Sequence, residues 1–176
     1  MDAIELLDDL ASRPMQALDY WWDDLDPAEL NIHPGDHPNS PTWLLWHAAR
    51  EIDVQLAGLD RSYRPVWTSG GFDQRFGLDV DPDDLGYGHS ADQARAIRLP
   101  ETEESKQLLR DHLTAVVEAA RAYIASLTPA QLDEVVDPQW SPPVTRGVRL
   151  VSVFDDALQH VGQAGYAAGM TGVALG

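Results

Sequence analysis

The stretch Ser40-Pro-Thr-Trp-Leu-Leu-Trp-His-Ala-Ala-Arg-Glu-Ile-Asp53 decides the fold. A serine hydroxyl caps a helix well, and proline suits the first helical position, where its missing N–H would have had no partner anyway. Leu45, Ala48, Ala49, Ile52 and Leu56 then recur at the 3.6-residue period of a buried helical face. A second line, Trp43, His47, Glu51 and Val54, runs beside that stripe. The segment therefore predicts a core helix that carries a histidine at the edge of its apolar face.

Three other segments show the same period. Residues of about 2–25 bring Leu7, Leu10, Pro14, Leu18, Trp21 and Leu25 near one stripe, with Pro14 expected to kink or break the helix. Residues of about 102–127 align Leu109, Leu113, Val116, Ala120, Ile124 and Leu127. Residues of about 148–169 align Leu150, Val153, Ala157, Val161, Ala164 and Ala168. With no convincing alternating run, the pattern predicts an all-α four-helix bundle. Leu25-Asp-Pro-Ala-Glu-Leu30 and Leu127-Thr-Pro-Ala-Gln-Leu132 match, and in each the proline can open a short extra turn after a long helix. A long crossover, residues 58–101, joins the second helix to the third. Its Trp67, Phe72, Phe76 and Tyr87 argue for packing, and Ser90 with Gln93 predicts a capped short helix over 91–98.

The chain has 176 residues, a length that suits a single domain over 1–176. Its formal charge of −17 leaves 12 basic residues against 29 acidic ones. Phosphate-neutralising surfaces need clustered Lys and Arg, so neither nucleic acid nor an anionic membrane surface is an expected partner. No run of about 18 apolar residues is present, and the acidic start lacks the basic region of a signal peptide, so a cytoplasmic protein is expected. Cysteine is absent, which excludes disulfides, thiolate metal ligands and a thiol nucleophile of the chain's own.

Over a hundred residues after His47 comes Phe154-Asp-Asp-Ala-Leu-Gln-His-Val-Gly-Gln163. Asp156 and His160 are four apart and share a helical face, each one position before a core residue. His47, Asp156 and His160 would fill three positions of a divalent ion, zinc or nickel, and leave others open. Open positions mark a catalytic site rather than a closed structural one. Two histidines and a carboxylate also match the triad of non-haem iron enzymes. His112 is a reserve ligand, and His33 and His37 are expected in an exposed loop. Arg149 lies two turns before Asp156 and can hold a carboxylate of a ligand; Tyr87 and His89, in the Gly-flanked part of the crossover, are the other candidate cofactor contacts. Glu51 and Asp53 are placed to support the ligands from a second sphere.

Four motifs, Asn39-Ser-Pro-Thr-Trp-Leu-Leu-Trp-His47, Gly71-Phe-Asp-Gln-Arg-Phe-Gly77, Gly86-Tyr-Gly-His-Ser90 and Asp156-Ala-Leu-Gln-His-Val-Gly-Gln163, give the chain a resemblance to a known family. It resembles the DinB-like proteins and the related N-terminal domains of mycothiol-dependent maleylpyruvate isomerases, over nearly its whole length. The resemblance implies a four-helix bundle with a long crossover between helices two and three, and metal ligands at His47, Asp156 and His160. Many DinB-like members have His at the position of Asp156, and the isomerase has Glu. By resemblance, the expected activity is that of a metal-dependent transferase or isomerase. It would use a low-molecular-weight thiol such as mycothiol on a small electrophile, with the crossover roofing the open side of the metal. A hydrolase-like enzyme with metal-activated water, or a stress-associated metal-binding protein without catalysis, are the alternatives. A homodimer is compatible with either.

Overall fold

The structure is a computed structural model that describes residues 1–170. Four long helices make the bundle: α1 (Ala3–Asp19), α2 (Pro41–Leu59), α6 (Glu103–Ala125) and α7 (Arg146–Ala168). Three short helices, α3 (Val66–Ser69), α4 (Phe72–Phe76) and α5 (Ala91–Ala96), lie in the crossover between α2 and α6. A small antiparallel ribbon, β1 (Val135–Asp137) with β2 (Val144–Thr145), precedes α7. Among the described residues no helix is long and apolar enough to cross a membrane.

Each long helix begins where a side-chain oxygen can satisfy its first N–H groups. The Asp2 carboxylate accepts from Glu5 N–H, while Glu5 reaches back to Asp2 N–H. Ser40, Thr102 and Thr145 accept from the N–H groups of Trp43, Ser105 and Val148. Both repeated Pro-Ala segments form short 3₁₀ turns, Pro27–Glu29 and Pro129–Asp133, and each turn starts in a capping box.

α1 is shorter than its periodicity suggests, because the apolar stripe outlasts the helix. The chain turns after Asp19, yet Trp22 and Leu25 remain buried, so packing alone cannot mark the helix end. Pro14 does not end α1 either; it is buried inside it. The stripes of α2 and α7 are buried along their whole length, as are those of α6 up to Ile124. α1 and α2 each pack against both α6 and α7. The α2–α7 contact is the one that brings His47 toward Asp156 and His160.

The crossover is packed. Trp67, Phe72 and Phe76 are buried, and Asn31 donates to the Leu99 carbonyl oxygen (2.8 Å) near its far end. The Asp53 carboxylate is fully buried on α2 and accepts from the Tyr63 hydroxyl (2.6 Å) and from the N–H groups of Val66 (2.7 Å) and Trp67 (2.8 Å). It therefore caps α3 from the outside. Its remaining partner is the guanidinium of Arg50 at 3.2 Å, also fully buried and stacked 4.9 Å from the Trp67 ring centroid. Lone burial of either charge would cost several kcal/mol; pairing and hydrogen bonding offset that.

His112 does not join the ligands. It is fully buried against Phe72 (4.7 Å between ring centroids), Trp67 (5.3 Å) and Phe76 (5.4 Å), and neither ring nitrogen has a hydrogen-bond partner. Burial first, and the Arg50 and Arg75 charges second, push its pKa from 6.5 down to about 3. Because the folded value is depressed, the unfolded chain takes up a proton that the folded one refuses. This part of the stability is complete above pH 6.5 and is lost as the pH falls toward about 3. His112→Leu is expected to flatten the acid side of the stability curve, gaining about 2 kcal/mol on the parent between pH 6.5 and 5, from about 1.4 kcal/mol per pH unit. Urea unfolding at a series of pH values checks this; parallel curves for the two proteins would refute the buried neutral imidazole.

Candidate metal centre

His47 on α2 and Asp156 and His160 on α7 each offer a ligand atom, and these atoms lie within 4.8 Å of one another. His47 is buried; the other two are partly so. The two imidazole rings meet edge to face with centroids 4.7 Å apart. Asp156 and His160 approach to 3.5 Å, which is ion-pair contact and too long for a good hydrogen bond.

Each imidazole is held through its Nδ1. The Nδ1 of His47 makes a very short hydrogen bond with the carbonyl oxygen of Leu85, in the crossover. A carbonyl only accepts, so the proton sits on Nδ1 and Nε2 is left with a lone pair. The Nδ1 of His160 lies 2.9 Å from Oε1 of Gln163, one turn on, with the same consequence. Trp43, one turn before His47, stacks on the His47 ring at 4.6 Å and stands edge-on to His160 at 6.1 Å. Helical spacing thus supplies both an orienting partner (Gln163) and a packing wall (Trp43).

Protonation favours a metal ion at His47 and Asp156 and opposes it at His160, whose proton an ion would displace. Burial lowers the His47 pKa, opposed by the Leu85 carbonyl, so the ring stays neutral. The neighbouring His160 imidazole holds the Asp156 carboxyl below its usual range, with burial working the other way. For His160, burial disfavours the charge, but Asp156 and Gln163 outweigh it and the pKa rises. Glu51 is raised, first by burial and then by the Asp156 charge. Oδ2 of Asp156 is buried and makes no hydrogen bond, although Nε2 of His160 stands 3.5 Å away. Such an atom is costly unless something positive meets it. Two imidazole nitrogens, that of His160 once its proton is displaced, and this oxygen are a donor set that zinc or nickel accepts, so the residues fit a divalent ion.

The cofactor candidates Arg149, Tyr87 and His89 stand outside the ligand triad, each in different surroundings. Arg149 donates to Gln55 (3.2 Å) and Asp137 (3.0 Å) beside a separate cavity of about 160 Å³. Tyr87 is 89% exposed. His89 is fully engaged: its Nδ1 accepts from Trp43 Nε1–H at 3.2 Å, and its Nε2 meets the Asp84 carboxylate at 3.0 and 3.1 Å. It steadies the tryptophan that stacks on His47. Asp53 serves Arg50 and α3 instead of His47, whereas Glu51 does face the ligands electrostatically.

The crossover covers only the His47 side. A cavity of about 470 Å³ opens on His160, and its walls come from the α1–α2 connection (Pro34, His37, Asn39) and the end of α7 (Gln163, Ala167, Met170). His37 is exposed as expected but belongs to this wall. Loop residues carry no periodicity, so nothing in the sequence tied that connection to the site. Nor did sequence mark Arg50, whose Nε donates to the Asp84 carbonyl (3.0 Å) and whose other guanidinium nitrogen donates to Pro82.

Comparison with known proteins agrees with this architecture. Residues 11–164 match the family model of the DinB superfamily. The crystal structure of a conserved protein of locus from Enterococcus faecalis shares 36% identity with the chain, covers 96% of each chain and superposes with a TM-score of 0.83. No curated protein matches the chain at a significant level.

Gly86 sets the crossover's distance from His47. Its φ is +91°, and a Cβ there would stand 3.0 Å from Trp46, 3.1 Å from Nδ1 of His47 and 3.1 Å from Trp43. Gly86→Ala is expected to displace the Leu85 carbonyl and weaken divalent-ion affinity by about 10–100-fold, the usual effect of losing a partner behind a ligand. Titration with zinc checks this; unchanged affinity in a folded Gly86→Ala variant would remove Leu85 from the account.

Proposed function

The chain belongs to the DinB superfamily, and we propose that it binds one divalent ion, zinc or nickel, through His47, Asp156 and His160, and uses it to present a small thiol to an electrophile. The observation that carries the metal reading is the convergence, within 4.8 Å, of the Asp156 carboxylate, whose buried Oδ2 makes no hydrogen bond, and two imidazoles whose Nδ1 atoms are both taken. A bound ion supplies Lewis acidity that lowers the pKa of a thiol beside it.

The chain's own residues do the rest. Leu85 and Gln163 fix the two tautomers, Trp43 fixes the His47 ring plane, and the Asp156 carboxylate brings the negative charge that balances part of the ion's. The absence of cysteine fits a thiol supplied from outside, with mycothiol as the representative. The thiol gives its proton to solvent, and its sulfur lone pair forms the bond to the electrophilic carbon. In a transfer, the group displaced from that carbon leaves with the bonding pair. In an isomerisation, the sulfur adds to a conjugated carbon–carbon double bond, whose pair moves onto the acceptor group; after rotation the pair returns, the thiolate is expelled, and it takes its proton back from solvent.

Purified without chelators, the parent is expected to hold one divalent ion per chain. His47→Ala, Asp156→Ala and His160→Ala are each expected to lose at least about 100-fold in zinc affinity by competition with a chromophoric chelator. In the cobalt-substituted parent, millimolar mycothiol is expected to add a sulfur-to-metal charge-transfer band. Parent-like affinity in both histidine variants would refute the site. Tight cobalt binding with no thiol band would move the nucleophile from sulfur to water.

A further inference from the structure

The metal centre opens into the 470 Å³ cavity through His160, and the chemistry of that cavity names the class of molecule it takes. Neither carboxylate, ammonium nor guanidinium lines it among the described residues. Leu44, Ala167 and Met170 make it largely apolar. Beside the side chains of Asn39 and Tyr166, two of its polar groups are donors with their acceptor ends already used. Oε1 of Gln163 accepts from His160, which leaves the Gln163 NH₂ for a ligand. Nδ1 of His37 accepts from the backbone N–H of Asn39 at 3.2 Å, which puts the ring proton on Nε2. Arg149, expected from the sequence to hold a carboxylate, is tied to Asp137 and lines a different cavity.

We infer that the site takes a ligand whose metal-binding head is joined to an uncharged body rich in acceptor oxygens, such as an amide carbonyl, and that it discriminates against bodies bearing carboxylates. This rests on the metal reading above and narrows its substrate class. A carboxylate in the cavity would find no cation in its walls except the ion already occupied by the head, within a chain of charge −17. An amide carbonyl needs only an N–H donor, and Gln163 and His37 supply two kinds.

Two thiols with the same head and different bodies make the test. N-acetylcysteamine has a neutral amide body; mercaptosuccinate has two carboxylates. Each is titrated into the cobalt-loaded protein and followed by the charge-transfer band. N-acetylcysteamine is expected to bind at least about ten-fold tighter, the worth of one net hydrogen bond gained at the cavity wall. Ala167→Phe fills the cavity from α7 and is expected to bind cobalt as the parent does while losing most of this preference; Ala167→Leu is the milder form should the larger residue not fold. Equal binding of the two thiols, or tighter binding of mercaptosuccinate, overturns the inference and leaves the metal reading standing. Failure of the parent to bind cobalt overturns both.

Discussion

The Arg50–Asp53 ion pair is the constraint on which the rest of the structure depends. Both groups are fully buried on α2, and each works as a bracket for the crossover. Asp53 gathers the start of α3 through Tyr63, Val66 and Trp67, and Arg50 grips the carbonyls of Pro82 and Asp84. A buried ion pair is poor evidence of added stability, since apolar residues of the same shape often do as well. What it provides here is position. Seventeen residues apart in the crossover, Trp67 and Asp84 are fixed to one helix within a single turn of each other. Leu85, next to Asp84, is thereby brought to His47.

From that bracket the site follows by short steps. Asp84 accepts from Gly86 N–H (2.7 Å) and from His89, and His89 in turn holds the indole of Trp43. The tryptophan ring then lies against His47. The ligands on α7 need less help, because the helix brings Asp156, His160 and Gln163 onto one line. One ligand is therefore placed by long-range structure and two by local periodicity. Imidazoles already fixed in tautomer and plane pay little ordering cost when an ion arrives.

The bundle was legible because its signals are local. Caps at Ser40 and Thr102, the stripes from Leu45 to Leu56 and from Leu150 to Ala168, and the Pro27 and Pro129 turns all act within a few residues. The α1 boundary was not, because Trp22 and Leu25 stay buried after the helix has ended. In the site, His47, Asp156 and His160 showed through their positions beside core stripes. The surroundings of Arg149, Tyr87 and His89 did not, since each depends on a partner or an exposure set by distant packing: Asp137 for Arg149, solvent for Tyr87, Asp84 and Trp43 for His89. The cavity wall at Pro34–Asn39 was hidden for the same reason.

The central claim is the place and ligation of one ion, and anomalous diffraction from crystals of the zinc- or nickel-loaded protein tests it most directly. The account predicts one strong peak at the metal edge, about 2.0–2.2 Å from Nε2 of His47, Nε2 of His160 and a carboxylate oxygen of Asp156. A peak ligated by Nδ1 of either histidine, a peak at the His33–His37 loop, or no peak between α2 and α7 would contradict it.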